Sequence, residues 1–140
     1  IRQFAEATLV PLGVNVSVES RGSLEFLPSE VEVGLFRFAQ GAIGNIAKHS
    51  QAKNASIVLE GKPGELFVRV NDDGKGFDVV KLTEIDESGR GRGLFGMKER
   101  IRLLDGECLV KSQPGQGTTV TARIPVIRRA VDAEDTSAGG

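Results

Sequence analysis

Asn71-Asp72-Asp73-Gly74-Lys75-Gly76-Phe77-Asp78 follows directly on the alternating apolar residues Leu66, Val68 and Val70. Alternation of this kind predicts a strand with one buried face. The chain then turns sharply, with an acid held at the mouth of the turn and two glycines that let a flat ligand approach the main chain. A second stretch, Gly89-Arg90-Gly91-Arg92-Gly93-Leu94-Phe95-Gly96-Met97-Lys98-Glu99-Arg100, predicts a glycine-arginine loop running into a helix near Gly93. Helix N-termini carry unpaired N–H groups and a partial positive charge, which suit phosphate. An acid for a base edge, glycines for close approach, and arginines with a helix end for phosphates together point to a nucleotide pocket.

Outward from these stretches, Leu94, Met97, Ile101 and Leu104 form one apolar face of the second helix, with Lys98, Glu99 and Arg100 on its solvated side. Segments 106–112 and 118–124 read as strands joined by Pro114-Gly115-Gln116-Gly117. Upstream, segments 55–60 and 65–71 form a hairpin with a four-residue loop, Gly61-Lys62-Pro63-Gly64. A long helix is expected from Ser29 to about Lys48. Ser29 and Glu32 have capping-box spacing, and Val31, Leu35, Phe38, Ala42 and Ile46 give one apolar face. Before it, a helix ending near Leu9 is stopped by Pro11 and Gly13, and Val14, Val16 and Val18 alternate as a strand ahead of the turn Arg21-Gly22-Ser23. Residues 81–92 are polar, with Glu84, Asp86, Glu87, Arg90 and Arg92, and read as a lid. The segment 128–140 has the composition of a disordered tail.

The 140 residues fit one domain, residues 1–127, followed by that tail. The expected fold is α+β: a two-layer α/β sandwich whose mixed, largely antiparallel sheet of about five strands carries three helices on one face. A net charge of -1 and the lack of Trp and Tyr offer no electrostatic or stacking basis for nucleic acid. No apolar run is long enough for a membrane span, so direct membrane contact is not expected. Cys108 reads as a buried core thiol, and an intracellular, cytoplasmic setting is expected. The start at Ile1, within a helical pattern, suggests a piece of something longer.

Two familiar motifs fail. Gly91-Arg92-Gly93-Leu94-Phe95-Gly96 matches Gly-x-Gly-x-x-Gly, but no hydrophobic strand precedes it and no strand-ending acid follows at the required distance. No Gly-Lys-Ser or Gly-Lys-Thr of a P-loop occurs. Taken together, four ordered segments resemble another family. Gln40-Gly41-Ala42-Ile43-Gly44-Asn45-Ile46-Ala47-Lys48-His49 resembles the N box of the ATPase superfamily shared by gyrase, Hsp90, MutL and histidine kinases. Asp72-Asp73-Gly74-Lys75-Gly76 resembles its first glycine box, Gly91 to Met97 its second, and Gly115-Gln116-Gly117-Thr118-Thr119-Val120 its Gly-Thr box. The wording Gly-Leu-x-Gly-Met-x-Glu-Arg, Gly93 to Arg100, is similar to the nitrate-sensor and degradation-sensor branch of sensor histidine kinases.

That resemblance implies the Bergerat ATP-binding (GHKL) fold and the catalytic, ATP-binding domain of a two-component sensor histidine kinase. Such a domain presents the γ-phosphate to a histidine on a separate dimerisation domain, with a response regulator downstream. Asn45 would hold Mg²⁺ through its amide oxygen, Lys48 would contact phosphate, and His49 would sit beside the nucleotide. Asp72 would accept from the adenine amine, Gly74 and Gly76 would let the base lie near the backbone, and Thr118 would support the adenine end. Gly91, Gly93, Leu94 and Gly96 would line the nucleotide, with Arg90 or Arg92 reaching the γ-phosphate. Asp72 and Asn45 should therefore face one cleft. His49, taken alone, reads more readily as a helix C-terminal cap, and the N-box pattern favours the place beside the nucleotide. One position departs from the family: Gly41 stands where many members carry Glu or Asn, four residues before Asn45, and glycine supplies no acid. Two alternatives follow, an ATP-binding regulatory module without chemistry and an anti-sigma-type serine kinase.

Overall fold

The computed structural model describes residues 1–25, 27–77 and 90–126, the side chains of 49, 50 and 90–93 excepted. The lid stretch up to residue 89 and the tail 128–140 lie outside the described residues. Among the described residues, three α-helices, α1 (Arg2–Leu9), α2 (Ser29–Asn45) and α3 (Arg90–Arg102), join five strands: β1 (Asn15–Gly22), β2 (Asn54–Lys62), β3 (Glu65–Asp72), β4 (Glu107–Ser112) and β5 (Thr118–Pro125). The strands form one sheet in the order β1-β2-β3-β5-β4, with β1 parallel to β2 and every other pair antiparallel. α2 makes the crossover that the one parallel pair requires.

Pleating puts alternate residues on the helix-facing side of the sheet. Along one row lie Val18, Ile57, Val70, Val120 and Val110, and along the next Leu59, Val68, Ala122 and Cys108. Ala5, Leu9, Leu35, Phe38, Ala42, Ile43, Met97 and Ile101 close over them from the helices. Burial of each large aliphatic or aromatic side chain here contributes about 1.5–3 kcal/mol. Two glycines set the spacing between α2 and α3. A Cβ at Gly34 would meet Leu104, and one at Gly41 would lie 3.0 Å from Met97 Cγ and 3.1 Å from its sulfur. The bare Cα at position 41 thus seats the core side of α3.

Several local expectations give way to the observed backbone. Pro28, not Ser29, is the N-cap of α2; its carbonyl accepts from Val31 and Glu32, and no side-chain cap bond forms. Proline holds the extended entry conformation one residue early, so the Ser29 hydroxyl falls inside the first turn. The β2–β3 hairpin closes at Lys62↔Glu65, leaving a two-residue loop, Pro63-Gly64, because Gly64 adopts φ +78° where Pro63 has fixed the preceding bend. β1 continues to Gly22, since β2 offers it a parallel partner as far as Gly61. α2 does not continue as regular helix to Lys48: residues Ile46–Ser50 form a π turn ended by Gln51 at φ 54°. α3 starts at Arg90 rather than near Gly93, and packing of Leu94, Met97 and Ile101 outweighs the poor helix propensity of its glycines. Cys108 is half-buried, and its desolvated thiol is pushed up to about 11.

At the end of the sheet where β3 and β5 stop and start, two turns interlock. A Cβ on Gly117, at φ +76°, would overlap the Asp72 carbonyl oxygen, and one on Gly76 the Gln113 carbonyl oxygen. Gly115 has a similar φ of +81° but open space around it. Both Gly→Ala changes at 115 and 117 carry the left-handed strain of about 1–2 kcal/mol, and only Gly117→Ala adds a backbone collision. Chemical unfolding should therefore show Gly117→Ala destabilised by at least about 3 kcal/mol and Gly115→Ala by about 1 kcal/mol; equal losses would show that the turns do not interlock.

Candidate functional site

The third helix-facing row of the sheet is where its chemistry changes. Ala55, Asp72, Thr118 and Ser112 are register partners across β2, β3, β5 and β4. Apolar rows thus give way, at the end nearest the C-terminus of α2, to a carboxylate and two hydroxyls. Asp72 is 5% exposed, and among the described residues it is the one buried charged side chain. Its Oδ1 accepts from the Gly74 N–H at 2.8 Å, while Oδ2 has no hydrogen-bond partner among the described residues. Burial raises the Asp72 pKa, the Gly74 N–H opposes that, and the Asp73 charge adds to it.

A small cleft, about 410 Å³ with the open solvent at its mouth included, lies beside this carboxylate. Val70 and Val120 floor it, Ala42 and Ile46 come from α2 and its π turn, and Leu94 and Phe77 close its sides. Its polar lining comes from Asn45, Asp72 and Thr118. Asn45 and Asp72, from the end of α2 and the end of β3, thus line one cleft. Asn45 is half-buried, and its side chain makes no hydrogen bond with the described residues. A narrow apolar slot holding a buried acceptor suits a flat heteroaromatic ring that carries an amine.

The neighbouring aspartate does different work. Asp73 points to the far side of the strand, where Oδ1 accepts from the Lys53 and Asn54 N–H groups at 2.9 Å and Oδ2 from Asn54 Nδ2 at 2.8 Å. Those bonds, the Asn54 side chain foremost, hold its carboxyl below the usual range. Asp73 ties the end of β3 to the start of β2, which leaves only Asp72 for the cleft. Pleating, which no composition reports, makes that choice.

The remaining site candidates divide. Gly76 and Leu94 line the cleft, and Gly74 serves it through its N–H. The need for glycine at 76 arises from the Gln113 carbonyl packed against it. Lys48 is exposed and does not line the cleft; the π turn after Asn45 breaks the regular helical spacing that would stack the two. Gly96 is exposed, with open space beyond its Cα. The backbones of Arg90, Gly91, Arg92 and Gly93 form the first turn of α3, while their side chains and that of His49 lie outside the described residues. Phe77 and Ser112 were not named as site residues from sequence, and Ile46 only as part of the apolar face of the long helix. Phe77 directly follows the glycine box, but Ser112 joins the site only through strand register.

Adjacent aspartates with opposite shifts should give opposite pH signatures. Asp73, with a lowered folded pKa, adds stability that is present above the ordinary aspartate range and is lost as pH falls through its folded value. Asp72, with a raised folded pKa, adds stability that is full below the ordinary range and is lost as pH rises through its folded value. In thermal melts at neutral and acidic pH, the deficit of Asp73→Asn relative to wild type should shrink on acidification. Wild type should gain on Asp72→Asn over the same change. Parallel behaviour of the two variants would contradict the assignment of one carboxylate to the cleft and the other to the scaffold.

Comparison with known proteins agrees with this architecture. Residues 30–128 match the family model described as Histidine kinase-, DNA gyrase B-, and HSP90-like ATPase. The chain is 34% identical over 126 residues to the signal transduction histidine-protein kinase/phosphatase DegS of Brevibacillus brevis, covering 90% of this chain and 30% of that protein. It is 32% identical to the oxygen sensor histidine kinase NreB of Staphylococcus carnosus, covering 81% of this chain and 32% of the relative. The chain therefore spans about a third of the length of these curated relatives. Among solved structures, full-length ShkA in complex with AMPPNP superimposes with a TM-score of 0.75 at 20% identity, over 91% of this chain and 29% of that one. The mycobacterial sensor histidine kinase MprB gives a TM-score of 0.63 at 20% identity, over 91% and 95%. The α+β sandwich and its row of cleft residues thus belong to a chain that is a member of the histidine kinase-, DNA gyrase B- and HSP90-like ATPase family.

Proposed function

We propose that this chain is the ATP-binding catalytic domain of a cytoplasmic sensor histidine kinase, and that it presents the γ-phosphate of ATP to a histidine on a separate helical dimerisation domain of the same kinase. A response regulator would take the phosphoryl group onward. The observation that carries this reading is the buried Asp72 carboxylate, with one oxygen unpartnered among the described residues beside an apolar slot. An adenine amine donating to that oxygen would relieve it, and such a charge-assisted bond contributes about 1.5–3 kcal/mol.

Mg²⁺ fits the same cleft. It prefers oxygen ligands and is commonly held by few protein groups together with phosphates. Asn45 offers an amide oxygen not engaged by the described residues, at the end of the cleft supplied by α2. The ion would supply charge neutralisation between the phosphates. Asn45 would bind it, and the first turn of α3, with Arg90, Gly91, Arg92 and Gly93, would offer N–H groups and cations to the triphosphate. Lys48 and His49 would add contacts on the side of the π turn. Phosphoryl transfer depends chiefly on positioning and charge neutralisation, so Gly41, packed on Met97, need not take part.

Calorimetric titration with ATP and magnesium tests this reading. Asp72→Ala should weaken binding by about tenfold to a hundredfold, whereas Lys98→Ala, on the exposed side of α3, should leave affinity within about twofold. Unchanged affinity in the Asp72 variant would remove the adenine assignment. Joined to its own acceptor helices and given γ-labelled ATP, the chain should place label on histidine; label on serine of a partner would overturn the histidine kinase reading.

A further inference from the structure

Ser112, at the end of β4, lies at the junction of three segments. Its Oγ accepts from the Phe77 N–H at 2.9 Å, donates to the Gly117 carbonyl at 2.9 Å and lies 2.8 Å from Thr118 Oγ1. A hydroxyl has one hydrogen and two lone pairs. The Gly117 carbonyl only accepts, so Ser112 must give its single hydrogen there; two bare oxygens at 2.9 Å would repel. The Phe77 N–H only donates, so it takes one lone pair. What remains to Ser112 is the second lone pair, and the contact with Thr118 forms only if Thr118 donates. The Thr118 hydrogen is thereby committed away from the cleft that Thr118 lines.

We infer that Ser112 is a positioning residue for nucleotide selection: by holding the Thr118 hydroxyl as donor to itself, it leaves the polar row of the cleft with acceptors only. Asp72 Oδ2 and the free lone pair of Thr118 both ask the ligand for hydrogens. A 6-amino purine supplies them, and a 6-oxo purine presents a further acceptor to the same row. The inference rests on the adenine-nucleotide reading of the cleft and assigns its discrimination to a residue outside the cleft lining. Ser112 reaches the ligand only through Thr118, and at the same time ties the loop at Phe77 to the β4–β5 turn.

Competition binding on the 140-residue chain, with ATP and with inosine triphosphate, tests it. Wild type should prefer ATP. Ser112→Ala frees the Thr118 hydroxyl to rotate and donate to a 6-oxo group, so the ATP-to-inosine-triphosphate preference should fall by about fivefold, the worth of one hydrogen bond. Ser112→Thr, which keeps the hydroxyl, should retain the wild-type preference. In a Thr118→Val background, Ser112→Ala should change the preference no further, as expected of two residues acting in series. Ser112→Ala also removes the bonds that Ser112 makes to the Phe77 N–H and the Gly117 carbonyl. Ser112→Cys, of similar size but a weak acceptor, therefore serves if that variant does not fold, and should lower the preference in the same direction.

A merely structural serine would weaken both nucleotides equally and leave their ratio unchanged, and that result would overturn the inference. So would a fall of equal size in the Thr118→Val background. Failure of the wild-type chain to bind ATP at all would instead remove the adenine reading, and this inference with it.

Discussion

One carboxylate in an otherwise aliphatic layer sets the character of this molecule. Burying an ion is unfavourable unless hydrogen bonds or counter-charges compensate, and Asp72 has one N–H for its two oxygens among the described residues. An apolar residue at the same register position would extend the valine row beneath it and stabilise the sheet. The carboxylate therefore weakens the unliganded fold for the sake of the cleft, and the raised pKa is the signature of that cost. Everything around it limits the damage: the Gly74 N–H satisfies one oxygen, and Asp73 is turned outward so that two charges do not share one side of the strand.

Holding an unsatisfied charge at the end of a sheet requires a rigid frame. Asp73 fastens β3 to the start of β2 through three hydrogen bonds. On the other flank, Gly117 lets the β4–β5 turn come up against the Asp72 carbonyl, and Gly76 receives the Gln113 carbonyl in return. Ser112 then joins that turn to Phe77 and Thr118. Gly76 and Gly117 therefore act on the protein backbone: they allow two turns from distant parts of the chain to occupy one small volume.

Much of this was legible in the residue order. Alternation at Leu66, Val68 and Val70 marked β3 and its inner face, and the 3–4 spacing from Val31 to Ile46 marked α2, because both signals follow from burial of one side of a regular element. Boundaries fared worse where a neighbour decided them. β1 runs to Gly22 because β2 is there to pair with it, α3 reaches back to Arg90 because its apolar face is anchored, and Pro28 pre-empted the Ser29 cap. The π turn after Asn45 has no periodic signature, so the regular helix expected to about Lys48 missed it. That Asp72 and Asn45 line one cleft was expected from motif order, but Ser112 enters through a cross-strand register that spans three strands.

The ionisation of Asp72, and what relieves it, governs the cleft. Carbon-13 side-chain carboxyl resonances, followed through a pH titration with and without saturating Mg-ATP, report that directly. Without nucleotide, Asp72 should titrate above Asp73; with nucleotide, a donated hydrogen bond favours the ionised form, so the Asp72 midpoint should move down while Asp73 stays in place. An Asp72 that titrates no higher than Asp73, or that ignores the nucleotide, would show that it is not the buried acceptor an adenine amine relieves.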